Sequence, residues 1–187
     1  YGYADHSVAE ILREICSYTD GATMSSKKDN LVNIGGFQAL RDPELARKAR
    51  ALLVAFEGLH TYGGMSGRDM EALATGIHEM VANDDHVRAR IGQVEYLGTT
   101  LLKYGVPVVT PIGGHGVFLD AGAILPHVPQ DEFPAQALAA AIYVDSGVRT
   151  MERGTVSSGR DPVTGENRHP KLELVRLTIP RRVYTQS

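Results

Sequence analysis

Tryptophan is absent from this 187-residue chain, aromatic residues make up only 6% of it, and there is a single cysteine, Cys16. One cysteine cannot form an internal disulfide, so the expected compartment is a reducing cytoplasm. Long apolar runs are missing too: the longest spans residues 137–144 and ends at Asp145. A bilayer-spanning helix needs roughly 20 apolar residues, so no membrane span is expected. The histidines show no metal-ligand spacing, and with one cysteine a zinc site is not expected either. Neither an internal repeat nor a low-complexity tract is present. What remains is ordinary globular composition, 43% hydrophobic and 22% charged. That is enough to bury a sizeable core, as one large domain or as one domain plus part of another.

The net charge of −3 is unevenly spread. Residues 147–187 hold eight Arg and Lys against four acids, a local +4 that leaves the first 146 residues at −7. Such a block suits a small anionic ligand better than nucleic acid, because it has no Lys/Arg run longer than two and few aromatics among its cations. The chain opens on Tyr1 without an initiating Met and stops soon after a strand-like run. We therefore expect a fragment of a longer protein.

Ser7-Val8-Ala9-Glu10 is a capping box, and the apolar spacing behind it predicts a helix over residues 8–17. Residues 18–24 and 31–37 are expected as strands, with a Ser-Ser-Lys-Lys-Asp-Asn turn between them. A charged helix opens at Arg41-Asp42-Pro43, and the apolar run 51–56 has strand length. After a glycine-rich stretch at 58–67, an apolar stripe from Met70 to Leu101 predicts one helix of about 35 residues, bent near Asn83-Asp84-Asp85. Residues 106–109, 115–119, 148–151 and 172–179 read as strands. Pro134 opens a further helix, and 157–170 is a polar loop. The layout is α/β, with a boundary near residues 60–105, inside or beside the long helix.

Three readings compete for the segment Thr23-Met24-Ser25-Ser26-Lys27-Lys28-Asp29-Asn30. It could be a solvated basic turn. Ser25 and Lys28 could be the S-x-x-K pair of a serine acyl-enzyme, although the companion S-D-N and K-T-G elements are missing. Or it could hold a Schiff-base lysine, activated by partial burial and cationic neighbours, with Ser25 binding a phosphate. Arg176, central in Leu174-Val175-Arg176-Leu177-Thr178-Ile179, is either paired structurally or placed to grip a carboxylate. Arg153, in Met151-Glu152-Arg153-Gly154, could pair with a local acid. His115, between two glycines, is open to roles as ligand, stacking ring or turn residue.

Asp20-Gly21-Ala22-Thr23-Met24-Ser25-Ser26-Lys27-Lys28-Asp29, followed by Val32-Asn33-Ile34-Gly35-Gly36, resembles the cofactor-lysine segment of the β-eliminating lyases. The likeness continues in order through Glu57-Gly58, Thr61-Tyr62-Gly63-Gly64, Gly67-Arg68-Asp69-Met70-Glu71, Gly113-Gly114-His115 and Phe133-Pro134-Ala135-Gln136. It ends in Arg176-Leu177-Thr178-Ile179-Pro180-Arg181.

The resemblance implies an α/β fragment of an aspartate-aminotransferase-like (fold type I) pyridoxal-phosphate enzyme. Residues 1–65 would end the large cofactor domain, 66–104 would form a long linking helix, and 105–187 would make most of the small domain. The Asp that pairs with the pyridine nitrogen would lie upstream of Tyr1. By motif match Lys28 would join the cofactor as a Schiff base, with Ser25 and Lys27 as further cofactor contacts. Asn33 would offer its backbone carbonyl to a potassium ion. Arg176 would hold the substrate carboxylate, and Met151 and His115 would be further substrate contacts. The partners implied are an aromatic amino acid and other copies of the chain, usually in a homotetramer. In the phenol-releasing members an Arg like Arg153 faces the phenolic oxygen, whereas indole-releasing members usually carry an aliphatic residue there. The expected reaction is thus β-elimination of tyrosine to phenol, pyruvate and ammonia. The alternatives are tryptophan as substrate, or a catalytically silent fragment or assembly module.

Overall fold

A computed structural model describes residues 2–180. The chain divides into two compact units, Tyr1–Asp84 and Asp85–Ser187.

In the first unit the capping box forms as expected: the Ser7 hydroxyl accepts from the Glu10 amide, and the Glu10 carboxylate accepts from the Ser7 amide at 2.8 Å. Helix α1 (Val8–Ser17) follows. Strand β1 (Gly21–Met24) leads into one helical turn, α2 (Ser26–Asp29), where a plain turn was expected. The run 31–37 was expected as a strand, but pairing begins only at its last residue. Strand β2 (Phe37–Leu40) lies antiparallel to β1, with Met24 opposite Phe37 and Gly21 opposite Leu40. Upstream of it, Val32 is buried against Gly76 of a later helix, where a Cβ would stand 2.6 Å from Val32 Cγ1. Packing claims that segment before a ladder can.

Asp42 caps α3 (Pro43–Phe56), accepting from the Glu44 amide at 2.8 Å with Pro43 in the first turn. Residues 51–56 thus end a helix and form no strand. A short apolar run cannot by itself distinguish the two, and a capped helix already under way extends through it at one hydrogen bond per residue. The single long helix is likewise two: α4 (Gly67–Ala82), capped by Ser66, and α5 (Asp85–Lys103). Asn83 is extended, with φ −139° and ψ 116°. Asn and Asp favour such breaks because their side chains compete for backbone groups.

The second unit holds α5, β3 (Gly116–Asp120), α6 (Ala121–Ile124), α7 (Pro134–Ser146), β4 (Met151–Arg153), α8 (Thr155–Ser158) and β5 (Leu174–Thr178). The sheet order is β3-β5-β4 and both pairings are antiparallel. The expected strand at 106–109 amounts to one bridge, Val108 to Leu119. Side chains alternate across the sheet. Leu119 and Val175 point into a core with Ala121 and Ala135, packed by Leu101, Leu138 and Ile142. Arg90 of α5 donates through Nε and Nη2 to the Ile179 carbonyl at 3.2 and 3.0 Å, tying that helix to the end of β5. The opposite face of the sheet carries Phe118, Arg176 and Met151 in one row.

Candidate active site

Two groups of residues carry chemistry, one in each unit. In the first, α2 is a single turn held by the Lys28 amide donating to the Ser25 carbonyl at 2.9 Å and the Asn30 amide to the Ser26 carbonyl at 2.8 Å. Lys27 and Lys28 are exposed, Ser25 is half-buried, and the Ser25 hydroxyl makes no capping bond. Ser26 Oγ and Asn30 Oδ1 are buried without a hydrogen-bond partner among the described residues. Hydrogen-bonding capacity at this turn is therefore unspent. Buried polar groups are ordinarily satisfied, so this orphaned pair stands out. Asn33, three residues past the turn, is exposed.

In the second unit the register does what sequence spacing could not. Arg176 on β5 stands opposite Met151 on one side and Phe118 on the other. Arg153 lies two residues along β4, on the same face as Met151. Arg176 Nη2 donates to Met151 Sδ at 3.1 Å, and its Nε is buried with no partner. No carboxylate meets this guanidinium among the described residues. Burial, and after it the like charge of Arg153, pull the Arg176 guanidinium below its ordinary value. A half-buried cation next to a second cation is an electrostatic demand for an anion.

Pairing of Arg153 with Glu152 does not occur. Successive strand residues face opposite ways, and Glu152 turns into the interior, where it accepts from the Ser157 amide at 2.9 Å and hydroxyl at 2.7 Å and from the Gly154 amide. His115 is exposed immediately before β3, and its carbonyl accepts from the Ile179 amide at 2.9 Å. Met151, Arg153 and Arg176 are thus brought together, while His115 stays at the sheet's end. Phe118 is a neighbour that sequence reading missed. Only the pairing of β3 with β5 reveals it. Arg181, last in its motif, lies outside the described residues.

A profile of the β-eliminating lyases matches residues 4–187. The chain belongs to that family. It is 65% identical to a tyrosine phenol-lyase of Nostoc punctiforme over 99% of its length and 67% identical to one of a Symbiobacterium species over 98%. It is 60% identical to a third, from Clostridium tetani. The chain spans about two fifths of the length of these curated relatives, 39% and 40% for the first two. As a β-eliminating lyase it has the mixed α/β, aspartate-aminotransferase-like fold of type I. Enzymes of the family work with pyridoxal 5'-phosphate. The residues at α2 fit that group. A hydroxyl and an ammonium suit its phosphate, a second amine suits its aldehyde, and the orphaned Ser26 and Asn30 atoms leave polar capacity beside them.

Proposed function

We propose that the protein is a pyridoxal-phosphate-dependent carbon–carbon lyase that converts tyrosine and water to phenol, pyruvate and ammonia. The observation that carries this reading is the pair of cations on one sheet face, Arg176 and Arg153, neither of them matched by an acid among the described residues. Two anionic or acidic ends of one ligand answer two such groups, and tyrosine has a carboxylate and a phenolic hydroxyl. The names of the relatives support the same substrate over tryptophan, whose indole would gain nothing from an arginine.

When bound, pyridoxal phosphate supplies the electron sink that makes the Cα proton of an amino acid removable at neutral pH. Lys28 provides the amine that holds the cofactor and, once released, takes that proton. Ser25 and Lys27 bind the phosphate. Arg176 grips the substrate carboxylate, with Met151 filling the space beside its fork. Arg153 hydrogen-bonds the phenolic oxygen and favours the ring form from which phenol leaves. His115 lies at the edge of the substrate region, and the Asn33 carbonyl is a ligand for an activating potassium ion. A homotetramer in the cytoplasm completes the reading, and the lone Cys16 suits a reducing compartment.

The test is Arg153→Ile in the full-length protein, assayed with tyrosine and with S-methylcysteine, whose thiolate leaves without help. Tyrosine turnover should fall about 10²-fold or more, because a site built for a hydroxyl discriminates strongly, with S-methylcysteine little changed. Equal losses on both substrates would count against tyrosine.

A further inference from the structure

Two buried carboxylates in the second unit take no part in the chemistry above. Glu152 and Glu173 are 8% and 4% exposed, and neither meets a cation among the described residues. A buried, unpaired carboxylate is costly unless donors surround it, and here donors converge. Glu173 accepts from the Thr155 amide at 2.9 Å, the Thr155 hydroxyl, Gln130 Nε2 at 3.2 Å and the Ala135 amide at the start of α7 at 3.4 Å. Glu152 accepts from Gly154 and Ser157, as described, and the Ser157 hydroxyl also reaches the Glu152 carbonyl at 2.9 Å.

The donors to Glu152, and Thr155 among the donors to Glu173, lie within four residues of Arg153. Strand β4 is three residues long, sits at the sheet edge and, among the described residues, pairs with β5 alone. So short an edge strand fixes the position of Arg153 weakly. What holds its far end is the turn at Gly154, and the Glu173 carboxylate stands where a Cβ of residue 154 would be.

We propose that Glu152 and Glu173 are positioning residues for Arg153: by locking the Gly154 turn they set where its guanidinium stands, and so set the preference for substrates with a ring hydroxyl. This rests on the reading of Arg153 as the group that meets the phenolic oxygen. A misplacement of about 1 Å at a reacting group can cost on the order of 10²-fold in rate. A substrate that never touches Arg153 escapes that loss, and this separates positioning from plain structural support.

The experiment uses the full-length holoenzyme carrying Thr155→Val, Thr155→Ser, Glu152→Gln or Arg153→Ile. For each, kcat/KM is measured with tyrosine and with S-methylcysteine, phenol affinity by calorimetry, and stability by melting. Thr155→Val removes one donor to Glu173 at nearly constant volume, and Thr155→Ser keeps it. We expect Thr155→Val and Glu152→Gln to lower the tyrosine-to-S-methylcysteine ratio about tenfold and to weaken phenol binding, with Thr155→Ser restoring both. If Glu152→Gln fails to fold, the Thr155 pair decides. If Thr155→Val lowers both substrates equally, or neither, while Arg153→Ile still shifts the ratio, the positioning role is overturned and the reading of Arg153 stands. An unshifted ratio in Arg153→Ile would overturn that reading, and the proposal with it.

Discussion

Arg176 directs Nη2 at the sulfur of Met151, 3.1 Å away on the neighbouring strand, and leaves Nε buried without a partner. A sulfur is a weak acceptor for a guanidinium. The strand pairing therefore presents a charge-bearing fork whose own structure does not satisfy it. Desolvated in this way and facing the like charge of Arg153, the side chain costs the folded state something, as function-bearing residues commonly do.

The first prediction follows from that cost. Arg176→Met should leave the melting temperature unchanged or raise it, since an unmatched cation is removed and the sheet face keeps its packing. The same change should lower kcat/KM for the amino acid by about 10²-fold, from the loss of roughly 3 kcal/mol of charge-assisted hydrogen bonding to the carboxylate. Melting curves and steady-state kinetics on one preparation check both halves. A marked drop in melting temperature would show instead that Arg176 is a structural residue.

Lys28, and not Lys27, should carry the cofactor. The two side chains share one intrinsic chemistry and both are exposed on α2, so motif register alone separates them. Borohydride reduction of the holoenzyme followed by peptide mapping should place the pyridoxyl group on Lys28. Finding it on Lys27 would end the assignment.

Gly154→Ala should destabilise the protein by about 3 kcal/mol, since a new Cβ would displace the Glu173 carboxylate from its donors. Gly92→Ala makes the opposite case: it is an exposed helical position where a Cβ meets nothing, and helix propensity predicts a gain of up to about 1 kcal/mol. Denaturant midpoints of the two variants should move in opposite directions. Like movement would contradict the packing described for the turn.

Asp131 accepts from His169 Nε2 at 2.8 Å and from Asn167 Nδ2 at 3.2 Å. The His169 bond first, and the Asn167 bond next, hold its carboxyl below the ordinary aspartate value. A carboxyl with a lowered folded-state value contributes stability above the unfolded value of about 3.9. That contribution is lost as pH falls through the lowered one. A carbon-detected carboxyl titration should therefore place the Asp131 midpoint below that of free aspartate, and His169→Ala should move it back up. No movement would mean that the contact is absent in solution.

How much of this was legible beforehand divides along physical lines. Capped helices were readable because their signals are local. Ser7 with Glu10 and Asp42 before Pro43 each satisfy amides within one turn. The motif of Ser25, Lys27 and Lys28 was readable as well, because its residues are adjacent in the chain. Residues 51–56 and 31–37 were misread for the converse reason. An apolar run of that length suits strand or helix, and its neighbours decide.

By itself, then, the sequence determined the family, the helix starts, the α/β character and the identities of the chemistry-bearing side chains, all of which local order carries. Only the tertiary structure decided which of them stand together. The antiparallel pairing of β4 and β5 puts Met151 opposite Arg176 across a gap of 25 residues. Strand alternation then sends Glu152 inward to its donors and leaves Arg153 beside Arg176. A register slip of one residue would have exchanged those two faces, and no spacing within β4 alone fixes that register. It is fixed by buried contacts from distant parts of the second unit, Glu173 to Thr155, Ala135 and Gln130, because burial satisfies a polar group only through whatever the fold brings next to it.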